Sequence, residues 1–542
     1  MLLSLIYLTL LVNLPLSSTN PVSLSAIRHW STLHLPLIRR EVVSSTPRRV
    51  LKQGAIGLGD YIDVTYDVLV QVGETLAPLV LDTGSSDLWV LSSSCSTDCF
   101  SVSVPLYPQT SFQPSGVVVR LEYGDSLTGT FAQGPVGMDI AGVSGLRIQN
   151  QYFAAISETN TSVLQTGSAG IFGLGFPVNS IIWNKLLTSG VSRDSSPNVR
   201  RSHSLGPRVF PDLSGIRKHP TMHSDKGRSL SPNMNDVLAS FATNGPLLPR
   251  LILAGALASP IVSISLQRDA IDVGGSQGVL SIGELPADIA AEDLTWVPLR
   301  CYTSAEGGLP APEEFPNEVY PITWEVAIDD VYFDGRKLSR SALAASNPTL
   351  TALLDTTFWM QSLRSSGGDT YNCAEAHTLT FQIGGSFYPV DPRDFGSQTF
   401  EDTTSRCTPN LAPRDPPSSG FLYSWSIGDP FLKSVFVAFY YGNLTHPSQD
   451  PPRVGLRSNV PSDAAQRLQA AVQLANASFG GNLPLTSEAA PHGTPPSAGT
   501  TTAGVPQTLP SPSSQISYGP HVATKPFSFP PISIIGLLAI VL

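Results

Sequence analysis

The chain has 542 residues, 41% of them hydrophobic and only 14% charged, with a formal net charge of −10. This length allows two or three domains and a sizeable core, while the acidic balance argues against nucleic acid as a partner. The 45 Gly and 47 Pro favour a strand-rich fold with many turns over a helical bundle.

The N-terminus, MLLSLIYLTLLVNLPLSS, is mostly apolar from Leu2 to Val12. It is too short to span a bilayer and fits a secretory signal over residues 1–20. Residues 21–50 carry the dibasic pairs Arg39-Arg40 and Arg48-Arg49. In a secreted chain such pairs are processing sites, which would make this stretch a pro-segment cut near Arg49; the plainer alternative is a solvated basic linker. From Tyr61 the run YIDVTYDVLVQVG alternates with period two, as a half-buried strand does. An ordered block is expected over 51–190.

Composition changes near Val191. Between Arg193 and Arg228 eight Lys/Arg face three Asp, with no apolar period. Residues 191–245 are expected to be a basic, disordered insertion, and His203, His219 and His223 within it have no metal-ligand spacing. Strand patterns are expected to resume near Leu251 and continue to about Arg457. DAAQRLQAAVQLANAS then has the composition of a short helix, followed by a Pro/Ser/Thr-rich stalk that completes 458–531. The last segment, 532–542, is uncharged and too short for a full span. Behind a polar spacer it fits a GPI-attachment signal, and membrane or cell-wall attachment through this tail is expected. Asn160, Asn443 and Asn476 each begin a glycan-acceptor triplet. The five cysteines leave one unpaired: Cys95 with Cys99 would close a small loop and Cys373 with Cys407 a larger one, leaving Cys301 over. An odd count leaves the pairing open.

Two segments echo each other. LAPLVLDTGS surrounds Asp82 and PTLTALLDTT surrounds Asp355; in each, aliphatic residues run into Asp-Thr. Each is followed by an apolar-Gly element, AGIFGLGF after the first and SWSIGDPFL after the second. Two similar halves can bring two such carboxylates together across a pseudo-twofold axis. A close pair resists double ionisation and shares one proton. The ionised member can then take a proton from water while the protonated member donates to a peptide carbonyl. Thr83 and Thr356 can tie the two loops together through their hydroxyls, and Gly84 lets backbone N–H groups approach the carboxylate.

On these residues the chain resembles the pepsin-like aspartic endopeptidases, particularly secreted fungal ones, from about Tyr61 to Arg457. DTGSSDLWV is a highly specific signature of that family. The resemblance implies an all-β, bilobal fold of two pseudo-symmetric barrel-like lobes around a deep cleft, the first lobe within 51–190 and the second within 246–457. It implies Asp82 and Asp355 as catalytic residues, with Thr83, Gly84, Ser85 and Thr356 supporting their loops. LEYGDSLTG would be a substrate-covering flap bearing Tyr123, Gly124 and Gly129, with Trp89 behind it. The implied activity is hydrolysis of internal peptide bonds at acidic pH, on a peptide or protein substrate. No metal and no organic cofactor is implied, and the protein is expected to be a secreted or cell-surface monomer. One departure stands out: Thr357 occupies the place where the family carries Gly. A catalytically inactive binding protein at the cell surface is therefore the alternative.

Overall fold

The structure, a computed structural model, describes residues 33–36, 38–40, 65–96, 104–124, 129–143, 145–161, 163, 168–190, 233–266, 278–340, 350–356, 360–362, 370–413 and 423–483. The period-two alternation noted after Tyr61 becomes the strand Thr65–Val72, with Tyr66, Val68, Val70 and Val72 buried in the main core. It pairs antiparallel with Thr75–Asp82, whose last six residues are all buried. Asp82 thus ends an apolar strand. Gly170–Gly173 lies parallel to that strand, with Gly173 opposite Asp82, and antiparallel to Leu88–Leu91. The sheet is completed by long strands, among them the hairpin Gln113–Tyr123 and Thr130–Val143, in which Tyr123 faces Thr130 near the turn.

The second half repeats the plan. Thr351–Leu354 runs into Asp355 and lies parallel to Trp425–Ile427. These strands belong to an eleven-stranded sheet that also holds Ile261–Leu266, Gly278–Ile282, Val435–Tyr440 and Arg453–Ser458. The fold is the expected all-β, bilobal one. A single core cluster draws on both halves, from Tyr66 and Phe172 to Trp324 and Phe431. At the junction Trp324 packs tilted against Phe176 and edge-on against Tyr441, and both Trp324 Nε1 and the Tyr441 hydroxyl donate to Leu174 O. Trp324 and Trp425 are buried packing residues; Trp359 lies outside the described residues.

Two expectations need correction. The stretch expected to be unstructured to residue 245 carries helices Met234–Ala239 and Phe241–Asn244, and Leu247–Leu253 is a helix where a strand pattern was expected. Val237, Leu238 and Phe241 pack on Trp183, Tyr302 and Ile322, so these short turns exist by burial and not by length. Arg250 fixes the last of them by donating to Asn150 O at 2.8 Å, Gln151 Oε1 at 3.1 Å and Ala242 O at 3.0 Å. The segment 191–232 lies outside the described residues.

The C-terminal helix forms over Ala464–Ser478 and buries Leu468, Val472 and Ala475 along one face. Cys373 and Cys407 form a disulfide. Cys95 is disulfide-bonded as well; Cys99 lies outside the described residues, and Cys301 is a free thiol. Among the described residues no helix is long and apolar enough to cross a membrane. The expected signal, the stalk beyond residue 483 and the hydrophobic tail lie outside them.

Candidate active site

Each Asp-Thr pair sits where an apolar strand ends, because a parallel partner strand supplies hydrogen bonds only up to that point. Leu174 N donates to Asp82 O at 2.7 Å, and Asp355 N donates to Ile427 O at 3.3 Å. Both carboxylates are buried, Asp82 at 2% and Asp355 at 3% exposure, so each needs polar company. Asp82 Oδ1 accepts from Gly84 N at 2.8 Å and Ser85 N at 3.2 Å, and Ser85 Oγ donates to Oδ2. These donors favour the ionised form.

The two loops are locked by a reciprocal set of four bonds. Thr83 N donates to Thr356 Oγ1 and Thr356 N donates to Thr83 Oγ1, each at 3.1 Å. Thr83 Oγ1 donates to Leu354 O at 2.8 Å, and Thr356 Oγ1 donates to Leu81 O at 2.6 Å. The Asp355 carboxyl lies directly over Gly84: a Cβ built there would stand 2.4 Å from Asp355 Oδ2. Gly84 is required by this close approach, since any side chain would push the second carboxyl away.

The hairpin tip closes the site. Trp89, fully buried, donates from Nε1 to Tyr123 Oη at 2.7 Å. Burial pushes the Tyr123 phenol well above its ordinary pKa. The charges of Asp82 and Asp87 add to this, against the hydrogen bonds from Trp89 and Ser85, so Tyr123 stays a neutral donor. Gly124 follows with φ +82°, a left-handed turn that favours glycine. Gly129 stands just before the returning strand. Under the hairpin lies a cavity of about 680 Å³, open mouth included, that touches Asp82, Gly84, Ser85, Tyr123, Gly124 and Asp355. Trp89 does not line it and acts through Tyr123. Thr357 lies outside the described residues.

Sequence reasoning passed over several residues of this cavity: Asp87, Asn179, Ile181, Tyr423 and Ser426. Asp87 lies inside DTGSSDLWV and Ser426 inside SWSIGDPFL, so position relative to the motifs was an available signal. Asp87 is buried and accepts from Ser180 Oγ at 2.5 Å, Ile181 N at 2.8 Å and Ile182 N at 3.2 Å, capping the helix Ile181–Thr188. Burial nevertheless pushes its pKa up to about 6, the three hydrogen bonds offsetting only part of the effect.

Comparison with known proteins agrees with this geometry. The family model described as eukaryotic aspartyl protease matches residues 65–191. Cathepsin E-A of Xenopus laevis is 24% identical over 420 residues, covering 74% of this chain and 81% of the relative. Major aspartyl peptidase 1 of Cryptococcus neoformans var. grubii is 22% identical, covering 75% and 74%. An aspartic protease of Phaffia rhodozyma is 25% identical, covering 67% and 70%. Fold, family model and relatives together define a bilobal, all-β protein of the aspartic peptidase class. Within that class the matches support the pepsin-like family, to whose members this chain is similar.

Proposed function

We propose that the protein is an endopeptidase that hydrolyses internal peptide bonds in acid, with Asp82 and Asp355 as the catalytic pair. The observation that carries this reading is the reciprocal Thr83–Thr356 clasp, which holds the Asp355 carboxyl against Gly84 beside Asp82. Two carboxyls so held share one proton. Asp82, accepting from Gly84 and Ser85, suits the ionised role and takes a proton from the attacking water. Asp355 holds the shared proton and donates it to the carbonyl oxygen of the substrate. The tetrahedral intermediate needs no covalent bond to the enzyme. Tyr123 and the hairpin tip exclude bulk water over the reacting atoms. An extended peptide or protein segment is the substrate, held partly by strand-like backbone bonds. In the same reading the signal-like N-terminus and the tail make the protein a secreted or cell-surface monomer, anchored through residues beyond the stalk.

One observation favours the alternative of an inactive, peptide-binding protein: Thr357 follows the second Asp-Thr where the family has Gly. Peptide cleavage by the purified, processed chain from strongly acidic to neutral pH separates the two. Turnover is expected in acid, fading toward neutrality, and blocked by a statine-type transition-state mimic. Asp82→Asn and Asp355→Asn should each lower kcat by about a thousandfold or more. A parent chain that binds the mimic but cleaves nothing at any pH belongs to the alternative; chelator-sensitive, neutral-optimum cleavage removes both.

A further inference from the structure

The two walls of the cavity differ in chemistry at one pair of corresponding positions. Two residues before Asp82, Val80 pairs in parallel with Ile171. Two residues before Asp355, Leu353 pairs in parallel with Ser426. Ile171 and Ser426 therefore hold the same place in the two halves. Ile171 belongs to an apolar cluster with Trp89, Leu121 and Ile182. Ser426 does not repeat that pattern. Strand alternation sends its neighbours Trp425 and Ile427 into the core and turns Ser426 to the opposite face, where it lines the cavity beside Leu353, Asp355 and Tyr423. Ser426 is 3% exposed, and its Oγ has no hydrogen-bond partner among the described residues.

A buried hydroxyl left unpaired is unfavourable, and native interiors rarely tolerate one without a use. Two more unpartnered atoms line the same cavity, Ser86 Oγ and Asn179 Oδ1, but both belong to the Asp82 side. Ser86 Oγ is turned toward the backbone at Gly175, where an added Cβ would stand 2.3 Å away. Ser426 alone of the three stands on the Asp355 wall.

We propose that Ser426 is a specificity-determining residue: it gives the Asp355 wall a hydrogen-bonding subsite for a neutral hydroxyl- or carboxamide-bearing side chain of the substrate (Ser, Thr, Asn or Gln), in preference to an apolar side chain of equal size. The ligand, a peptide, is taken from the endopeptidase reading above. Ser426 Oγ both donates and accepts, so either group can pair with it. A carboxylate side chain is disfavoured by the ionised Asp82 beside the same space. A site built to pair a substrate hydroxyl discriminates against the isostere that lacks it, because the protein group is then left unpaired.

The test uses non-cleavable peptides with a reduced bond at the scissile position and Thr or Val, an isosteric pair, at each flanking residue in turn. Affinities are measured by calorimetry in acid for the wild type, Ser426→Ala and Ser426→Thr. At one flanking position the Thr compound should bind the wild type about tenfold tighter than the Val compound. That ratio should fall to about one in Ser426→Ala and persist in Ser426→Thr, which keeps the hydroxyl. Equal binding of Thr and Val compounds to the wild type at both positions overturns the proposal, as does a ratio that survives in Ser426→Ala or a failure to bind either compound. The wild-type ratio needs no variant to fold. Because binding is read without turnover, a wild type that shows the Thr preference but cleaves no peptide keeps this inference and removes the endopeptidase reading.

Discussion

Asp87 is a third carboxylate at the cavity, five residues beyond Asp82, and its environment sets a pH dependence of its own. Burial raises its pKa from 3.8 to about 6 in the folded protein, while Tyr123 and Asp82 face the same space. The unfolded chain keeps the ordinary value. Between the two values the native state holds a proton that the unfolded state has lost, so stability falls as pH rises through this window. The loss, complete above the folded pKa, is on the order of 3 kcal/mol. Asp87→Asn, which mimics the protonated carboxyl, should flatten this slope and leave the variant less sensitive to neutral pH than the parent. Denaturant midpoints taken from acid to neutral would show it, and parallel curves for the two proteins would refute the assignment. At this scale the sequence was informative where a residue belongs to a local motif. Asp82, Ser85 and Thr83 were legible because their bonds run within a few residues or to the matching loop. Ser426 and Tyr423 were not, because their significance lies in which wall they face and what they lack as partners. Both are tertiary facts.

Among the elements, the strand Thr65–Val72 was legible from its alternation, and the C-terminal helix from its composition. The helices between Met234 and Leu253 were not. They are four to seven residues long and interrupted by Gly245 and Pro246, so no helical period could build up; only packing on Trp183 and Tyr302 makes them stable. Nor did the sequence disclose what the dibasic region does in the fold. Leu33–Pro36 pairs with Gly278–Ile282 at the end of one sheet, and Ile38–Arg40 pairs with Thr65–Val72 at the end of the other. These two short segments thus cover an edge strand in each half. Uncovered edges expose unpaired backbone groups and invite association. A chain lacking residues 21–40 should have a Tm several degrees lower and a greater tendency to aggregate than the full chain. Scanning calorimetry with light scattering would measure both, and an unchanged Tm would mean that the strap contributes nothing to the folded state.

At the level of the whole molecule, what was legible was the repeat, an Asp-Thr at the end of an apolar strand in each half, and with it the idea of two carboxylates meeting. What could not be read was how firmly the halves are joined there. The clasp makes each threonine hydroxyl serve the opposite loop twice, once as donor and once as acceptor. Replacing either Thr by Val, which keeps the volume, removes two hydrogen bonds and strands a buried N–H and a buried C=O. Roughly 2–4 kcal/mol of stability should go with each single substitution. The double variant tells more. If the loops form one unit spanning both halves, the first substitution already lets them part, and the second has less left to break. The combined loss should then fall short of the sum of the single losses by about 1 kcal/mol or more. Urea unfolding of Thr83→Val, Thr356→Val and the double variant gives the cycle directly. Strict additivity would mean that the two halves are held in register elsewhere, by the Trp324 and Tyr441 contacts to Leu174, and that the clasp only orients the carboxyls.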